Sequence, residues 1–229
     1  MTTSLPEGSS NRPTRRVGLA ATLAVIGLTF AFVVTPAVAV TLTPYNTNLV
    51  KNAGFEAGSA TGGYRWISVP NWQTHGKMTV VKYGAPNGFP TLAEGASISG
   101  GKKFFTMGTP PDGSTTCLAV ALQSIPIRGR AAAIDAGRVR AFVSLYLGTY
   151  ATQPDTAVAY VQANIPSTAS NQRLITFSAT QTEGRMTGWA ARPWIPAGTR
   201  SLTIVLMSKE TQGYCDAYFD KVTVKLSLG

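Results

Sequence analysis

The chain has 229 residues, with 20 Lys and Arg against ten Asp and Glu, a formal net charge of +10, two Cys and one His. Only 13% of its residues are charged and 44% are hydrophobic, which excludes a disordered chain or a coiled coil. Two Cys and one His cannot supply the ligands of a Cys/His zinc site, so zinc fingers and zinc hydrolases are also excluded. The 23 Gly and 14 Pro predict many tight turns and favour a β-rich fold.

Residues 1–39 have the pattern of an export signal. Three arginines precede an uncharged, largely apolar run over 17–34, and an A-x-A sequence ends at Ala39. This order predicts a signal peptide cleaved after Ala39, so that 40–229 is secreted. The alternative is an uncleaved single-pass anchor with an outward-facing domain, because the run is just long enough to cross a bilayer. The pair Arg15-Arg16 leaves Sec and twin-arginine export both open.

Residues 40–229 keep 17 basic and nine acidic residues, a formal charge of +8. The basic residues are scattered and form no run typical of a nucleic-acid tail, so we expect no nucleic-acid partner. An anionic glycan, a wall polymer or a lipid headgroup would fit a weak, salt-sensitive attraction. The alternative is a basic surface that serves only solubility.

Alternation of apolar and polar residues with a period of two dominates the rest of the chain and predicts eight strands. They are 78–83, 103–107, 117–124, 138–148, 156–165, 174–179, 201–208 and 217–228. Turns rich in Gly, Pro and Asn separate them, and one Ala-rich stretch at 129–137 looks helical. We see no repeat and no break in composition. The sequence therefore predicts one antiparallel β-sandwich over 40–229.

Cys117 and Cys215 are the only cysteines, and both lie in the exported part. We expect a disulfide between them. It would close a loop of about 100 residues and stabilise the fold by up to roughly 4–5 kcal/mol in the chain-entropy model. The alternative is a pair of buried thiols. A catalytic Cys is disfavoured because His75 is the only imidazole available to activate it.

The two ends of the predicted domain carry its most informative motifs. The start contains N-A-G-F-E-A-G at 52–58, and the end contains A-Y-F-D-K-V at 217–222. This pair resembles the galactose-binding-like jelly-roll domains, which include many carbohydrate-binding modules attached to secreted bacterial glycosidases. The resemblance implies a jelly-roll β-sandwich whose two ends lie side by side and a carbohydrate ligand.

Asp220 shares its parity with Val222 and Val224 in the predicted last strand, so its carboxylate would face the core. A bare buried carboxylate costs several kcal/mol and needs a cation or several donors. The resemblance implies a structural Ca²⁺ held by Glu56 and Asp220, with carbonyl groups near Asn52 completing the ligands. The alternative is that Asp220 accepts backbone N–H groups from a bulge while Glu56 pairs with a Lys.

Sugar recognition combines aromatic faces with amide, carboxylate or guanidinium groups, and two sets of residues qualify. The first is on the second face of strands 138–148 and 156–165, and would be one patch if these strands are neighbours: Arg140, Tyr146, Tyr160, Gln162 and Asn164. The alternative is that this face is covered, which makes Tyr146 and Phe142 ordinary core. The second set lies in loops: Tyr64, Arg65, Trp66, Trp189, Arg192 and Trp194. Trp72 is interpreted as structural.

Few features favour an enzyme. A glycosidase needs two carboxylates flanking one bond, and the nine acids of 40–229 show no closely spaced pair on a strand. No G-x-S-x-G sequence is present for a serine hydrolase. The sequence therefore predicts a monomeric, non-catalytic module that binds a polysaccharide or cell-surface glycan. The alternatives are an extracellular structural domain without a small ligand, and a polysaccharide lyase or glycosidase acting on a jelly-roll face.

Overall fold

A computed structural model describes residues 41–62, 67–76, 78–107, 118–151, 153–209 and 216–229. The predicted export segment lies outside these residues. So do Tyr64, Arg65 and Trp66 of the loop set, and so does the predicted disulfide with both Cys117 and Cys215. Within the described ranges, no helix combines the length and apolar character that crossing a membrane requires.

The described residues of 41–229 form two five-stranded antiparallel sheets. The strands are β1 (Gln73–His75), β2 (Met78–Lys82), β3 (Lys103–Met107), β4 (Leu118–Pro126), β5 (Val139–Thr149), β6 (Thr156–Ile165), β7 (Ser170–Thr180), β8 (Met186–Ala191), β9 (Ser201–Lys209) and β10 (Ala217–Leu228). Sheet A has the order β2-β3-β10-β5-β8, and sheet B has the order β1-β4-β9-β6-β7. Two short helices, α1 (Leu92–Ser97) and α2 (Ala131–Asp135), lie in connections.

The predicted antiparallel β-sandwich is confirmed, and each of the eight predicted strands is present. The sequence pattern missed β1, β8 and α1. Strand β1 has only three residues, all polar, and the edge strand β8 contains Gly188 and only one large apolar residue facing each way. Such short edge strands depend on pairing with a longer neighbour, here β4 and β5, rather than on their own alternation.

The main core lies between the sheets, and the two inner faces differ in size. Sheet A contributes large side chains, among them Phe105, Leu145 and Phe219, all at most 1% exposed. On sheet B the inward positions of β4 and β6 are mostly alanines, so the larger residues Leu118, Val120 and Leu122 face outward. Phe55 stacks on Phe105 with ring centroids 4.9 Å apart. Complementary sizes let the two sheets pack at the usual spacing of roughly 10 Å.

A second, smaller core covers part of the outer face of sheet A. Its buried members are Val81, Tyr83, Phe89, Ile98, Phe104, Met186 and Tyr218. Helix α1 caps it, beginning at Thr91, whose hydroxyl accepts a hydrogen bond from Glu94 N at 3.1 Å. A Cβ at Gly95 would lie 2.6 Å from the Tyr83 ring, so only glycine lets the helix approach this closely. The β2–β3–β10 end of sheet A is therefore closed to solvent.

The two ends of the domain lie side by side, as the resemblance implied. The segment before β1 runs along β10, with Asn46 N donating to Leu226 O at 2.8 Å and Leu49 N donating to Val224 O at 2.9 Å. Further along, Val222 N donates to Ala53 O at 2.9 Å. The N-A-G-F-E-A-G motif at 52–58 therefore folds against the last strand.

A β-bulge in β10 changes the face on which Asp220 lies. The register with β5 shifts between Asp220 and Thr223, and Lys221 has a φ of 49°. Asp220 is buried, as predicted, but it lies with Tyr218 on the outer face of sheet A, whereas Val222 and Val224 face the main core. The predicted shared face was wrong because a bulge inserts one residue and inverts the parity that follows it.

Candidate functional site

The five residues of the predicted sheet-face patch lie on two different surfaces. Arg140 and Tyr146 belong to β5 in sheet A, whereas Tyr160, Gln162 and Asn164 belong to β6 in sheet B. The inward residues of both strands meet in the main core, so their alternate residues face away from each other. The prediction of one joint patch was therefore wrong. The connection between β5 and β6 crosses from sheet A to sheet B. The alternation of the two strands would look the same if a hairpin joined them within one sheet.

On sheet A, Tyr146 behaves as the alternative interpretation expected. It is half-buried and packs against the second core, and a Cβ at its partner Gly188 would lie 3.1 Å from its ring. Arg140 is held in place by two contacts. Its Cζ lies 3.9 Å from the ring centroid of Trp194, and its Nη1 donates to Arg192 O at 3.1 Å.

On sheet B, Tyr160 lies in a row of outward residues that crosses the five strands. The register aligns Tyr160 with four cross-strand neighbours: Gln73, Leu122, Val205 and Thr176. The guanidinium of Arg173, on β7, lies over the Tyr160 ring, with Cζ 4.0 Å from the centroid. We call these six residues the Tyr160 row. It combines an aromatic ring, the partly exposed Leu122 and neutral hydrogen-bonding groups at both ends, while Val205 at its centre is only 3% exposed.

Two polar rows run beside the Tyr160 row. Gln162 is aligned with Thr203 and Arg173, and Asn164 is aligned with Ser201 and Asn171. The Asn164 amide donates to Ser201 Oγ and Thr203 Oγ1, both at 2.9 Å. These bonds fix the orientation of the amide. Of the three residues predicted on this face, the structure thus brings Tyr160, Gln162 and Asn164 together along one strand.

A depression of about 310 Å³ opens where the Tyr160 row meets the sheet edge. Gln73, Leu122 and Ser124 line it together with Lys51 and Asn71. Its floor is fixed by the buried amide of Gln123, which accepts a hydrogen bond from Lys51 N at 2.8 Å and donates to Asn71 O at 3.0 Å. The row therefore ends in a preformed concave surface.

No protein-family model matches the sequence, and no curated protein matches it. Solved structures do resemble it. The bacteriophage CBA120 tailspike protein 4 enzymatically active domain is 16% identical over 79% of this chain, with a TM-score of 0.49, and this chain spans 21% of that domain. A family 61 carbohydrate-binding module in complex with β-1,4-galactotriose is 14% identical, with 80% and 99% of the chains covered and a TM-score of 0.44.

A third structure, the C-terminal family 22 carbohydrate-binding module of a Clostridium thermocellum protein, is 13% identical. The similarity covers 79% of this chain and 93% of that one, with a TM-score of 0.44. At these identities a likeness concerns the fold alone. With every TM-score below 0.5, these similarities carry no argument about ligand or activity.

The acids of the two end motifs lie close together beside the second core. Asp220 is fully buried, its Oδ2 accepts a hydrogen bond from the Tyr83 hydroxyl at 2.7 Å, and its Oδ1 accepts one from Lys221 N at 2.6 Å. Burial, with a smaller contribution from the nearby charge of Glu56, raises the pKa of Asp220 to about 7 despite these donors. The site therefore lacks enough positive charge, within the described residues, to hold this carboxylate ionised below neutral pH.

Glu56 is fixed by the turn that precedes β3. Its Oε1 accepts hydrogen bonds from Lys102 N at 2.7 Å and Lys103 N at 2.9 Å. The turn packs closely against both acids: a Cβ at Gly100 would lie 2.5 Å from Asp220 Oδ2, and one at Gly101 would collide with Glu56 Oε1. Glycine is needed at both positions for the backbone to come this close to the carboxylates.

The side chain and carbonyl of Asn52 are engaged in other contacts and are not directed at Glu56 and Asp220 as a third ligand. Its amide donates to Pro70 O at 3.0 Å and its Oδ1 accepts from Ala57 N at 2.9 Å. Its carbonyl accepts from Phe55 N at 3.1 Å and from the Trp72 indole at 3.4 Å. Asn52 therefore shapes the loop that carries Glu56. Trp72, 7% exposed and 5.4 Å from the Phe55 ring, is structural as predicted.

The two described tryptophans of the loop set have separate positions. Trp189 is 38% exposed and packs near Phe177 of β7, with ring centroids 6.1 Å apart, so it closes the edge between the sheets. Trp194 is 46% exposed and lies against Arg140 on sheet A.

Sequence reasoning missed Arg173 because the predicted strand began at 174, although the alternation of 170–180 extends to it once the β6–β7 bulge is known.

Proposed function

We propose that this protein is a glycan-binding domain that holds a neutral polysaccharide against the outer face of sheet B, centred on Tyr160. The observation that carries the proposal is the Tyr160 row, where an aromatic ring is stacked by Arg173 and continues into aliphatic and amide side chains. A pyranose ring has an apolar C–H face and a hydroxyl edge. A flat surface with both characters is complementary to it.

The dimensions favour a chain over a single sugar. Five strands at about 4.8 Å spacing place the ends of the row roughly 19 Å apart. Sugar rings would lie across the strands, with C–H groups on Leu122 and on the part of the Tyr160 ring that Arg173 leaves open. Their hydroxyls would bond to Gln73, Thr176 and the neighbouring Gln162. A depression at one end, lined by Gln73, would receive a further unit.

We propose that the domain binds without catalysis. Among the described outward positions of sheet B there is no Asp or Glu, whereas glycosidases place two carboxylates on either side of the scissile bond. Two acids elsewhere are already engaged in structural contacts. Asp135 pairs with Arg200 at 2.7 Å, and Glu94 accepts a hydrogen bond from Met186 N at 2.8 Å. A panel of neutral polysaccharides, assayed for retention and for new reducing ends, tests both statements. Cleavage of any bound glycan would overturn the non-catalytic part.

We also propose that Glu56 and Asp220 hold a structural Ca²⁺. Three observations support the fit: a buried carboxylate with a raised pKa, a second carboxylate close enough to raise it, and a glycine turn that packs closely against both. Hard carboxylate oxygens are the ligands that calcium prefers. No group of three or more acidic, Cys or His side chains occurs among the described residues, so carbonyl oxygens would have to complete the ligands. Bound calcium would supply the charge that stabilises the Asp220 carboxylate.

Secretion by way of the segment 1–39 remains part of the proposal, supported by its sequence pattern. Sequencing the N-terminus of the protein recovered from culture medium tests it. A mature chain that begins at Val40 is expected. Recovery of the full chain only from membranes would instead support the anchored form.

A further inference from the structure

Three cations lie together on the part of sheet A that the second core leaves open. We call Arg140, Arg192 and Lys225 the basic cluster. Phe142 and Lys225 are direct cross-strand neighbours on β5 and β10, and Arg140 is the neighbour of Ser227 in the next outward row. Arg140 donates to the carbonyl of Arg192, which joins the third member to the other two.

Two of the three cations, Arg192 and Lys225, line a cavity of about 220 Å³. Arg192, Lys225 and Phe142 line it with Asn46 and Ser227, whose side chains are a neutral amide and a hydroxyl. This is smaller than the roughly 300–1,000 Å³ typical of sites for drug-sized ligands, and it suits one sugar-sized group of a longer chain. Every charged residue lining the cavity is positive.

The cations of the cluster have no acidic partner among the described residues. The one ion pair there joins Arg200 to Asp135, which lies outside the cavity. Three neighbouring cations without a counter-charge repel one another. Such an arrangement is stabilised by an anion that binds between them.

The aromatic rings of this surface orient the guanidinium groups. Arg140 lies over Trp194 with Cζ 3.9 Å from the ring centroid, and Arg192 lies over Phe142 at 5.2 Å. A guanidinium stacked on a ring keeps its N–H groups directed sideways, where they can form paired hydrogen bonds with a carboxylate or sulfate.

We propose that the basic cluster is a second ligand site, one that binds the charged group of an anionic polysaccharide, either a uronate carboxylate or a sulfate ester. This site goes beyond the neutral-glycan site proposed on sheet B and uses none of its residues. Lys225 and Arg192 hold the anion, Asn46 and Ser227 bind the adjacent sugar hydroxyls, and Arg140 closes the far side.

The test is retention of the purified full-length protein on immobilised heparin, which carries sulfates, and on polygalacturonate, which carries carboxylates, with neutral dextran as the third surface. At about 0.15 M salt the Debye length is about 8 Å, so a specific site still contributes beyond the net charge. We expect binding to at least one anionic glycan, and the stronger of the two identifies the group. The double variant Arg192→Gln with Lys225→Gln should lose affinity at least about tenfold.

A matched control removes two exposed cations elsewhere, Arg128→Gln with Lys209→Gln, and should retain wild-type affinity. Lys225→Arg, which keeps the charge, should do the same. Equal loss in both double variants would overturn the proposal, since net charge alone would then explain binding. Tighter binding to anionic phospholipid vesicles or single-stranded DNA than to either glycan would overturn it as well. Retention of neutral glycans through Tyr160 is unaffected by any of these results.

Discussion

Arg173 covers the Tyr160 ring from the neighbouring strand β7, with its Cζ 4.0 Å from the ring centroid. This contact fixes the only tyrosine among the described outward residues of sheet B and holds a guanidinium over its ring. The ring and the charge thus form one unit within the Tyr160 row, whose other four residues carry no charge.

Replacement of Arg173 should therefore weaken glycan binding without unfolding the protein. Cation–π contacts at exposed sites contribute about 0.5–1 kcal/mol, so Arg173→Gln should lower affinity roughly two- to fivefold. Arg173 is exposed, so the melting temperature should change little. Titration calorimetry with the best neutral glycan measures the first quantity and calorimetric unfolding the second. A fall in melting temperature as large as that of a core variant would assign Arg173 a structural role instead.

The stability of the calcium-depleted protein should fall as pH rises from about 4 to about 7. Asp220 has its pKa raised from 3.8 to about 7, so the folded chain binds this proton more tightly than the unfolded chain does. Its contribution is complete below the unfolded pKa and is lost as pH passes the folded pKa. Melting temperatures across this window in a chelator, compared between wild type and Asp220→Asn, measure the effect. Parallel curves for the two proteins would contradict it.

Added calcium should raise the melting temperature most at and above pH 7, where Asp220 is ionised and pays the full cost of burial without a cation. The increase should depend on calcium concentration and should be absent in Asp220→Asn. Glu94→Gln is a suitable control, because Glu94 is an acid near Tyr83 that holds Met186 N rather than the proposed ion. A melting temperature that does not respond to calcium or chelator would remove the ion from the account.

The ring stack that joins the start of the domain to sheet A should be the most sensitive part of the core. Phe55 is fully buried against Phe105, and Phe105 contacts Phe219 with centroids 6.0 Å apart. Phe55→Ala should destabilise the fold by about 3–5 kcal/mol, as buried Phe truncations do. Chemical denaturation gives the value. Leu42→Ala, at a site 67% exposed, should change stability by less than about 0.5 kcal/mol.

The sequence was sufficient for the layered β fold because alternation marks every long strand. The sequence was not sufficient to predict to which of the two sheets each strand belongs. The patterns of β5 and β6 are equally regular, and nothing in either strand specifies that the chain crosses from sheet A to sheet B between them. Sheet assignment depends on long-range packing, here large residues such as Leu145 against small ones such as Ala159.

The candidate site was predicted in part for the same reason. Tyr160, Gln162 and Asn164 could be grouped because they follow one strand with a period of two. Arg140 was grouped with them on the assumption of adjacent strands, and the structure places it in the basic cluster instead. The bulge at Lys221 left no signal in the alternation, so the burial of Asp220 was predicted while its face was not.

The affinity of Tyr160→Ala for the tightest-binding neutral polysaccharide is the most direct test of a glycan site on sheet B. Two controls separate ring loss from general damage: Tyr160→Phe, which keeps the ring, and Tyr146→Ala, which removes another half-buried tyrosine from the opposite sheet. We predict that Tyr160→Ala abolishes measurable binding while both controls retain it. Wild-type affinity in folded Tyr160→Ala, or equal loss in Tyr146→Ala, would contradict a glycan site on sheet B.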